Sequence, residues 1–400
     1  MEKKWIHAAI PALLIHMSIG SVYTWSIFKT QLAQNFGRNV HSIEWAFSLA
    51  IFFLGMSAAF LGPFVEKDLK RSAYTALFFF VSGFIMTGVS VQFHFLPGLY
   101  IFYGIMMGIG LGIGYLTPIK NLMLWYSDQK GLATGIAVAG FGLAKVICAP
   151  VMEFLIATVG ITMMFYILGG IYFVMMLLGA ILVKRPPGYV YNIKKSKVPR
   201  LSILKKKDFL PIWFMFYLNI TSGLALISQE KDILKMVLVE QATPEVRVLQ
   251  IVAVVIAMNA FFNTAGRLFF SSFSDKLPFR ETSYQVLFVM SISACLLYLI
   301  FSTFAPGVLW PVMLLLFLVN AGYGGGFSTL PVLLDQHFGM ETISTVHGLV
   351  LSAWAIAGLT GNQLSALLVH TWQLSYTSVI SVVLVMYLVA LAAVSYVKHL

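Results

Sequence analysis

The chain has 400 residues, of which 59% are hydrophobic and 10% charged, with a mean hydropathy of +0.88. Soluble domains carry about 25% charged residues, so composition excludes a soluble fold and the two or three soluble domains that length alone suggests. The formal net charge of +11 fits either a nucleic-acid binder or a membrane topology, and its distribution along the chain decides between them.

Apolar runs of about 20 residues match a hydrocarbon core of about 30 Å at 1.5 Å per residue. Twelve are predicted: Ile6–Phe28, Glu44–Phe64, Ala73–Phe93, Gly98–Leu116, Gly131–Ala157, Ile161–Val183, Phe209–Ser228, Val248–Ser272, Tyr284–Thr303, Val308–Leu330, Ser344–Val369 and Ser375–Val397. The first follows Lys3-Lys4 but is too long for a signal-peptide core and lacks a small-residue cleavage site, so it reads as a spanning helix. Cys148 and Cys295 both fall inside these runs, which provides neither a disulfide framework nor a metal cluster. No cofactor is expected.

An even number of spans puts both termini on one side. Placing them in the cytoplasm puts eighteen Lys and Arg residues inside, nine of them between Lys184 and Lys207, against five outside: Lys29, Arg38, Lys231, Lys235 and Arg247. The positive-inside rule therefore favours an inner-membrane protein with cytoplasmic termini. The same asymmetry explains the basic charge without nucleic acid. The loop 184–208, with Pro186-Pro187-Gly188, separates an N-terminal bundle, 1–183, from a C-terminal bundle, 209–400. A monomer in the lipid bilayer is expected.

The two halves repeat one another. Glu66-Lys67 and Lys70-Arg71 follow the second span, as Asp275-Lys276 and Arg280 follow the eighth. Gly112-Ile-Gly-Tyr-Leu-Thr-Pro118 in the fourth matches Gly324-Gly-Gly-Phe-Ser-Thr-Leu-Pro331 in the tenth, and Gly131-Leu-Ala-Thr matches Gly348-Leu-Val-Leu-Ser. Related six-helix halves suit a rocking transporter with its substrate site near the midplane. The glycines let helices approach closely, and Pro118 and Pro331 are expected to bend or end their helices. The acidic-basic turns set orientation, or clamp helices together in one of two states.

Three cations remain within the spans. Lys120 stands near the end of the fourth and is expected to reach water along its stem. Lys145 lies roughly 21 Å into the fifth, with Glu153 eight residues on; a structural pair and a ligand-binding role are both open. Arg267 has no acidic residue within seven positions, although a central arginine costs about 2.5–3.5 kcal/mol on insertion scales. Asn263, at i−4, shares its helical face but is neutral. Either an acid on another helix, such as Glu153, or a bound anion completes the site, and a planar guanidinium grips a carboxylate bidentately. Tyr23, Trp25, Tyr115, Asn320 and Tyr323 are the polar and aromatic candidates to surround it.

Gly20-Ser-Val-Tyr-Thr-Trp-Ser26, Trp125-Tyr-Ser-Asp-Gln-Lys-Gly-Leu-Ala-Thr-Gly135 and Gly266-Arg-Leu-Phe-Phe-Ser-Ser-Phe-Ser-Asp-Lys276, together with the glycine-rich motifs above, resemble the oxalate/formate antiporter branch of the major facilitator superfamily. That branch includes bacterial carriers of lactate- or pyruvate-like monocarboxylates. The resemblance covers nearly the whole chain. It implies an all-α membrane protein of twelve transmembrane helices in two pseudo-symmetric six-helix bundles, with a carboxylate held by Arg267 in a cavity between the halves. Asn263 and Tyr115 would line the site, with Tyr23 shaping it.

Two departures from the family pattern bear on the substrate. Oxalate exchangers of this branch carry a lysine partway along the eleventh helix, where this chain has Trp354. One cation in place of two favours a monocarboxylate, although Lys145 could supply the second charge for a dicarboxylate. Mammalian-type monocarboxylate carriers have an acid one turn before the arginine; here that residue is Asn263, which leaves Glu153, Asp335, His16 and His347 as candidate proton carriers. The expected function is proton-coupled transport of a small monocarboxylate by alternating access. Oxalate/formate-type anion exchange is the alternative, and a carboxylate-binding membrane sensor signalling through 184–208 is the alternative of another class. No metal-ligand pair or nucleophile–base spacing points to an enzyme.

Overall fold

A computed structural model describes residues 3–189, 200–240, 243–305 and 307–399. Part of the basic linker, 190–199, lies outside the described residues. Among the described residues, helices long and apolar enough to cross a membrane number eleven, and one of them contains two crossings. Within Lys130–Leu182, Gly160 takes φ +84° and ψ 165°, a conformation open to glycine and strained for other residues. It divides the stretch into 130–159 and 161–182, each long enough to span.

The spanning helices are α1 (Trp5–Phe36), α2 (Val40–Lys67), α3 (Leu69–Gln92), α4 (Leu96–Trp125), α5 (130–159), α6 (161–182), α7 (Phe209–Ile227), α8 (Glu245–Asp275), α9 (Glu281–Phe304), α10 (Leu309–Phe338), α11 (Ile343–Val369) and α12 (Tyr376–Lys398). All twelve expected spans are present. Capping chemistry marks several starts: Asn39 accepts from Ser42 N at 2.8 Å before α2, and Asp68 accepts from Arg71 N at 3.0 Å before α3. Pro118 and Pro331 do not end their helices, because α4 runs on to Trp125 and α10 to Phe338. A helix that hydropathy did not single out, Glu230–Glu240, buries Ile233, Leu234, Val237 and Leu238 along one stripe.

The chain forms two compact units: Met1–Ile203 with Leu334–Ala355, and Leu204–Leu333 with Ile356–Leu400. The end of α10 and the first half of α11 thus count with the first unit. In that unit α4 lies so close to α2 that a Cβ on Gly112 would run into the Leu54 carbonyl and the Ser57 hydroxyl. Gly104 and Gly108 lie against Leu49 and Phe53 of the same helix. Contacts of this kind explain the glycine spacing by packing alone.

Lys120 does not reach water. It is 1% exposed, as is Glu66, and the two form an ion pair at 2.8 Å. Its Nζ also donates to the Met340 carbonyl, and Glu66 accepts from the Ser344 amide at the start of α11. The C-terminal end of α2 therefore carries a buried ionic contact at Glu66 in addition to its surface charge. Lys130 and Asp335 make a second pair at 2.5 Å, which gives Asp335 a structural partner. Arg185 closes the same end by donating to the Glu66 and Lys67 carbonyls at 2.6 and 3.0 Å.

Removing one partner of a buried ion pair strands the other, at about 3–5 kcal/mol. Lys120→Met should therefore lower the thermal stability of the detergent-solubilised protein markedly. Glu66→Gln combined with Lys120→Met should recover most of the loss. Fluorescence-detected size exclusion after heating measures both, and equal melting of single and double variants would refute the pair's role.

Candidate functional site

The second unit positions Arg267. α8 and α10 approach so closely that a Cβ on Gly266 would strike the Ala321 carbonyl, and one on Gly324 the Asn263 carbonyl. Only glycine fits at either position without a backbone shift. This approach brings Ser328 of α10 to the Arg267 carbonyl at 2.7 Å, where Ser271 also donates at 2.5 Å. The arginine backbone is thereby tied to both helices.

The side chain is held as firmly. Arg267 is 2% exposed, and its Nε donates to Asn263 Oδ1 at 2.9 Å. The Asn263 amide nitrogen in turn donates to Asn320 Oδ1 at 2.7 Å. The guanidinium carbon lies 5.9 Å from the centre of the Phe327 ring, within cation–π range. The relay fixes the Nε edge and so sets the plane in which the terminal NH groups lie. That planar fork is the geometry that matches a carboxylate. Asn263 and Asn320 supply no charge, so they orient the cation without neutralising it.

The polar stripe continues one turn beyond Asn263. Asn259 is 1% exposed and donates to Glu230 Oε2, an acid of the short surface helix. Asn259, Asn263 and Arg267 follow at i, i+4 and i+8 on one helical face. Sequence distance hid Glu230, since it is far from Arg267 in the chain. Tyr323 joins this group through Phe327, the ring that faces Arg267. It is 4% exposed, with its ring 5.3 Å from Phe327 and against Gly223 of α7.

The first unit gathers the other aromatic candidates around Phe141, which sequence reasoning missed. Tyr23 meets Phe141 edge-on at 5.2 Å, Tyr115 at 5.6 Å and Trp354 at 6.3 Å. Tyr115 and Trp354 also touch one another at 5.7 Å. A large ring flanked by glycines, Gly140-Phe-Gly142, was the available signal for a close-packed hub. Trp25 sits apart, packed on Phe28, Phe47 and Tyr103. His16 and His347 both contact Tyr115, at 5.6 and 5.9 Å. Lys145 and Glu153 are both exposed on α5, and Lys145 lies one turn beyond Phe141. They do not pair with each other.

An all-helical, twelve-crossing membrane chain with a buried, amide-oriented arginine is the arrangement of a membrane carrier. The Major Facilitator Superfamily model matches residues 12–362, and the chain belongs to that family of membrane transporters. It is similar to the "Uncharacterized MFS-type transporter YhjX" of Escherichia coli (strain K12), at 25% identity over 363 residues, 89% of this chain and 86% of that protein. It is also similar to the "Oxalate:formate antiporter" of Oxalobacter formigenes, at 25% identity over 377 residues, 92% of this chain and 85% of that one. A shorter match, 27% over 159 residues, reaches the "Monocarboxylate transporter 12-B" of Danio rerio, covering 39% of this chain and 32% of that protein. Among solved structures, a bacterial homologue of the iron transporter ferroportin in an outward-facing state shares the fold, with a TM-score of 0.75 and 13% identity over 98% of each chain.

Asn320 is the acceptor that holds Asn263 in register with Arg267. Asn320→Ala removes about one net hydrogen bond, worth about 1 kcal/mol. Affinity for formate, used as an anionic probe of the arginine, is expected to fall about fivefold, with insertion unchanged. Titration of the purified protein by intrinsic fluorescence measures this, and unaltered affinity would show the relay to be dispensable.

Proposed function

We propose that this transporter carries a small monocarboxylate of the lactate, pyruvate or formate type across the inner membrane, coupled to protons. Arg267 neutralises the carboxylate and Asn263 orients the guanidinium. Tyr115, Tyr23 and Trp354, with Phe141, supply the apolar wall that accommodates a short carbon chain. The observation that carries the reading is the Nε–Asn263–Asn320 relay, which presents a buried cation through neutral amides. The antiporter relative transports oxalate and formate by its printed name, and a partial relative is a monocarboxylate transporter; both support a carboxylate. The excess of Lys and Arg on one side of the spans supports cytoplasmic termini, with six-helix bundles at 1–183 and 209–400 joined by 184–208.

The choice of one carboxyl group rests on Trp354. Its indole is 2% exposed and lies edge-on to Tyr115 and Phe141, and an indole cannot balance a second negative charge. Exchange of oxalate for formate is the second reading. The observation that favours it is Lys145, whose exposure on the α5 face one turn from Phe141 leaves an ammonium available to a second carboxylate.

Arg267→Ala is expected to abolish saturable binding and uptake while leaving insertion intact. Truncating one side of a desolvated charge pair typically forfeits about 2–5 kcal/mol. Uptake of radiolabelled lactate, pyruvate, formate and oxalate into proteoliposomes provides the assay, and full transport by the variant would sink the assignment. In the same assay Trp354→Lys should raise oxalate uptake relative to lactate. An unchanged profile would remove Trp354 as the basis for selecting one carboxyl group.

A further inference from the structure

His16 on α1 is fully buried, at 0% exposure, in a bilayer-spanning helix. Its Nδ1 lies 2.6 Å from the Ala137 carbonyl of α5, and its Nε2 lies 3.2 Å from the Tyr115 carbonyl of α4. A carbonyl oxygen only accepts. A neutral imidazole has one N–H, so one of its nitrogens would turn a lone pair toward a carbonyl lone pair. An imidazolium has two donors and satisfies both contacts. The ring also stacks on Tyr115 at 5.6 Å with an interplanar angle of 24°, and meets Phe141 edge-on at 6.0 Å. Charge-assisted bonds to two carbonyls and an aromatic face are the means by which a buried cation is compensated without a carboxylate.

The contrast with His347 strengthens this argument. That imidazole meets Tyr115 edge-on at 5.9 Å. It is 1% exposed, and its Nε2 has no hydrogen-bond partner. An imidazolium there would carry an uncompensated charge, so His347 is neutral in this conformation. Two histidines contact one tyrosine of the candidate site, and only one is built to hold a proton. The titratable groups packed on His16 from neighbouring elements are Tyr115 of α4 and, beyond that ring, His347 of α11. The charged groups of the same helices are Lys29 on α1, Lys120 on α4 and Lys130, Lys145 and Glu153 on α5.

We propose that His16 is the proton-binding site of the transport cycle, held as imidazolium between the Ala137 and Tyr115 carbonyls. The step is transfer of a proton from hydronium of the bulk phase to the lone-pair nitrogen of the neutral imidazole, which releases water, with no change of oxidation state. Through the shared Tyr115, the proton is sensed at the wall of the substrate site. This inference rests on the proton-coupled carboxylate reading, and the test separates the two.

The full chain, with isotope-labelled histidine, is reconstituted in lipid vesicles and examined by solid-state nitrogen NMR at neutral pH. An imidazolium signal that is lost in His16→Gln is expected. If that variant fails to insert, the signal is assigned in the native chain by its correlation with a labelled alanine carbonyl. A neutral His16 signal overturns the proposal. The second readout is the ratio of lactate uptake with an inward proton gradient to uptake without one. The native ratio should be several-fold, and His16→Gln should bring it to unity. A ratio that persists in the variant, or is absent from the native chain, also overturns the proposal. Failure of the native protein to exchange any carboxylate, with the imidazolium signal intact, would sink the carboxylate reading instead.

Discussion

A guanidinium inside an apolar helix must be both compensated and kept in place, and the second unit is built to do this. Arg267 is anchored at its backbone by two serine hydroxyls and at its side chain by Asn263. Those bonds need α8 and α10 to lie at near backbone-to-backbone distance, which Gly266 and Gly324 permit. The glycine spacing, the serines and the asparagine relay are thus parts of one device. Enlarging either glycine would force the helices apart, and a Cβ on Gly324 would also press on Cγ of Arg267. The small-residue motif in α10 and the polar motif in α8 depend on each other for this reason.

The chain handles its other membrane-depth cation differently. Lys120 meets Glu66 directly, and the pair draws in the Met340 carbonyl and the Ser344 amide. Desolvation of both charges is offset by their mutual attraction and by added hydrogen bonds. That arrangement closes on itself and ties the start of α11 to α2 and α4. Around Arg267 the relay residues Asn263 and Asn320 add no negative charge. Lys120 is thus met by an acid, whereas the Nε edge of Arg267 is met by an amide.

Much of this was legible in the sequence. Twelve apolar runs of the right length defined the helices, because membrane thickness leaves few alternatives. Arg267 and Asn263 could be paired at i, i+4 because helical periodicity fixes their shared face. Contacts between distant segments were not legible. Lys120 seemed free to snorkel, since nothing local showed Glu66 beside it. Phe141 emerged as a hub only because α1, α4, α5 and α11 converge on it, and Glu230 came to Asn259 by a fold-back of the chain after α7. The short helix 230–240 escaped a hydropathy reading because its buried stripe is diluted by Lys231, Asp232 and Lys235. Local periodicity yields elements and faces, whereas pairings across helices depend on the register of one helix against another.

Under the proposed carboxylate reading, the aromatic cluster of the first unit would add a constraint on selectivity. Tyr23, Tyr115, Phe141 and Trp354 contact one another through edge-on rings, a geometry that favours dense packing over flexibility. A wall of this kind discriminates by shape and by its inability to solvate charge. A second carboxylate placed against it would lose hydration without gaining a cation, a penalty of several kcal/mol per ion. A short hydroxy- or keto-acid has only one such group, and its remaining atoms are small and neutral. Two of these rings, Tyr115 and Phe141, also pack on His16, so the same dense packing that fixes the cluster fixes the orientation of that imidazole.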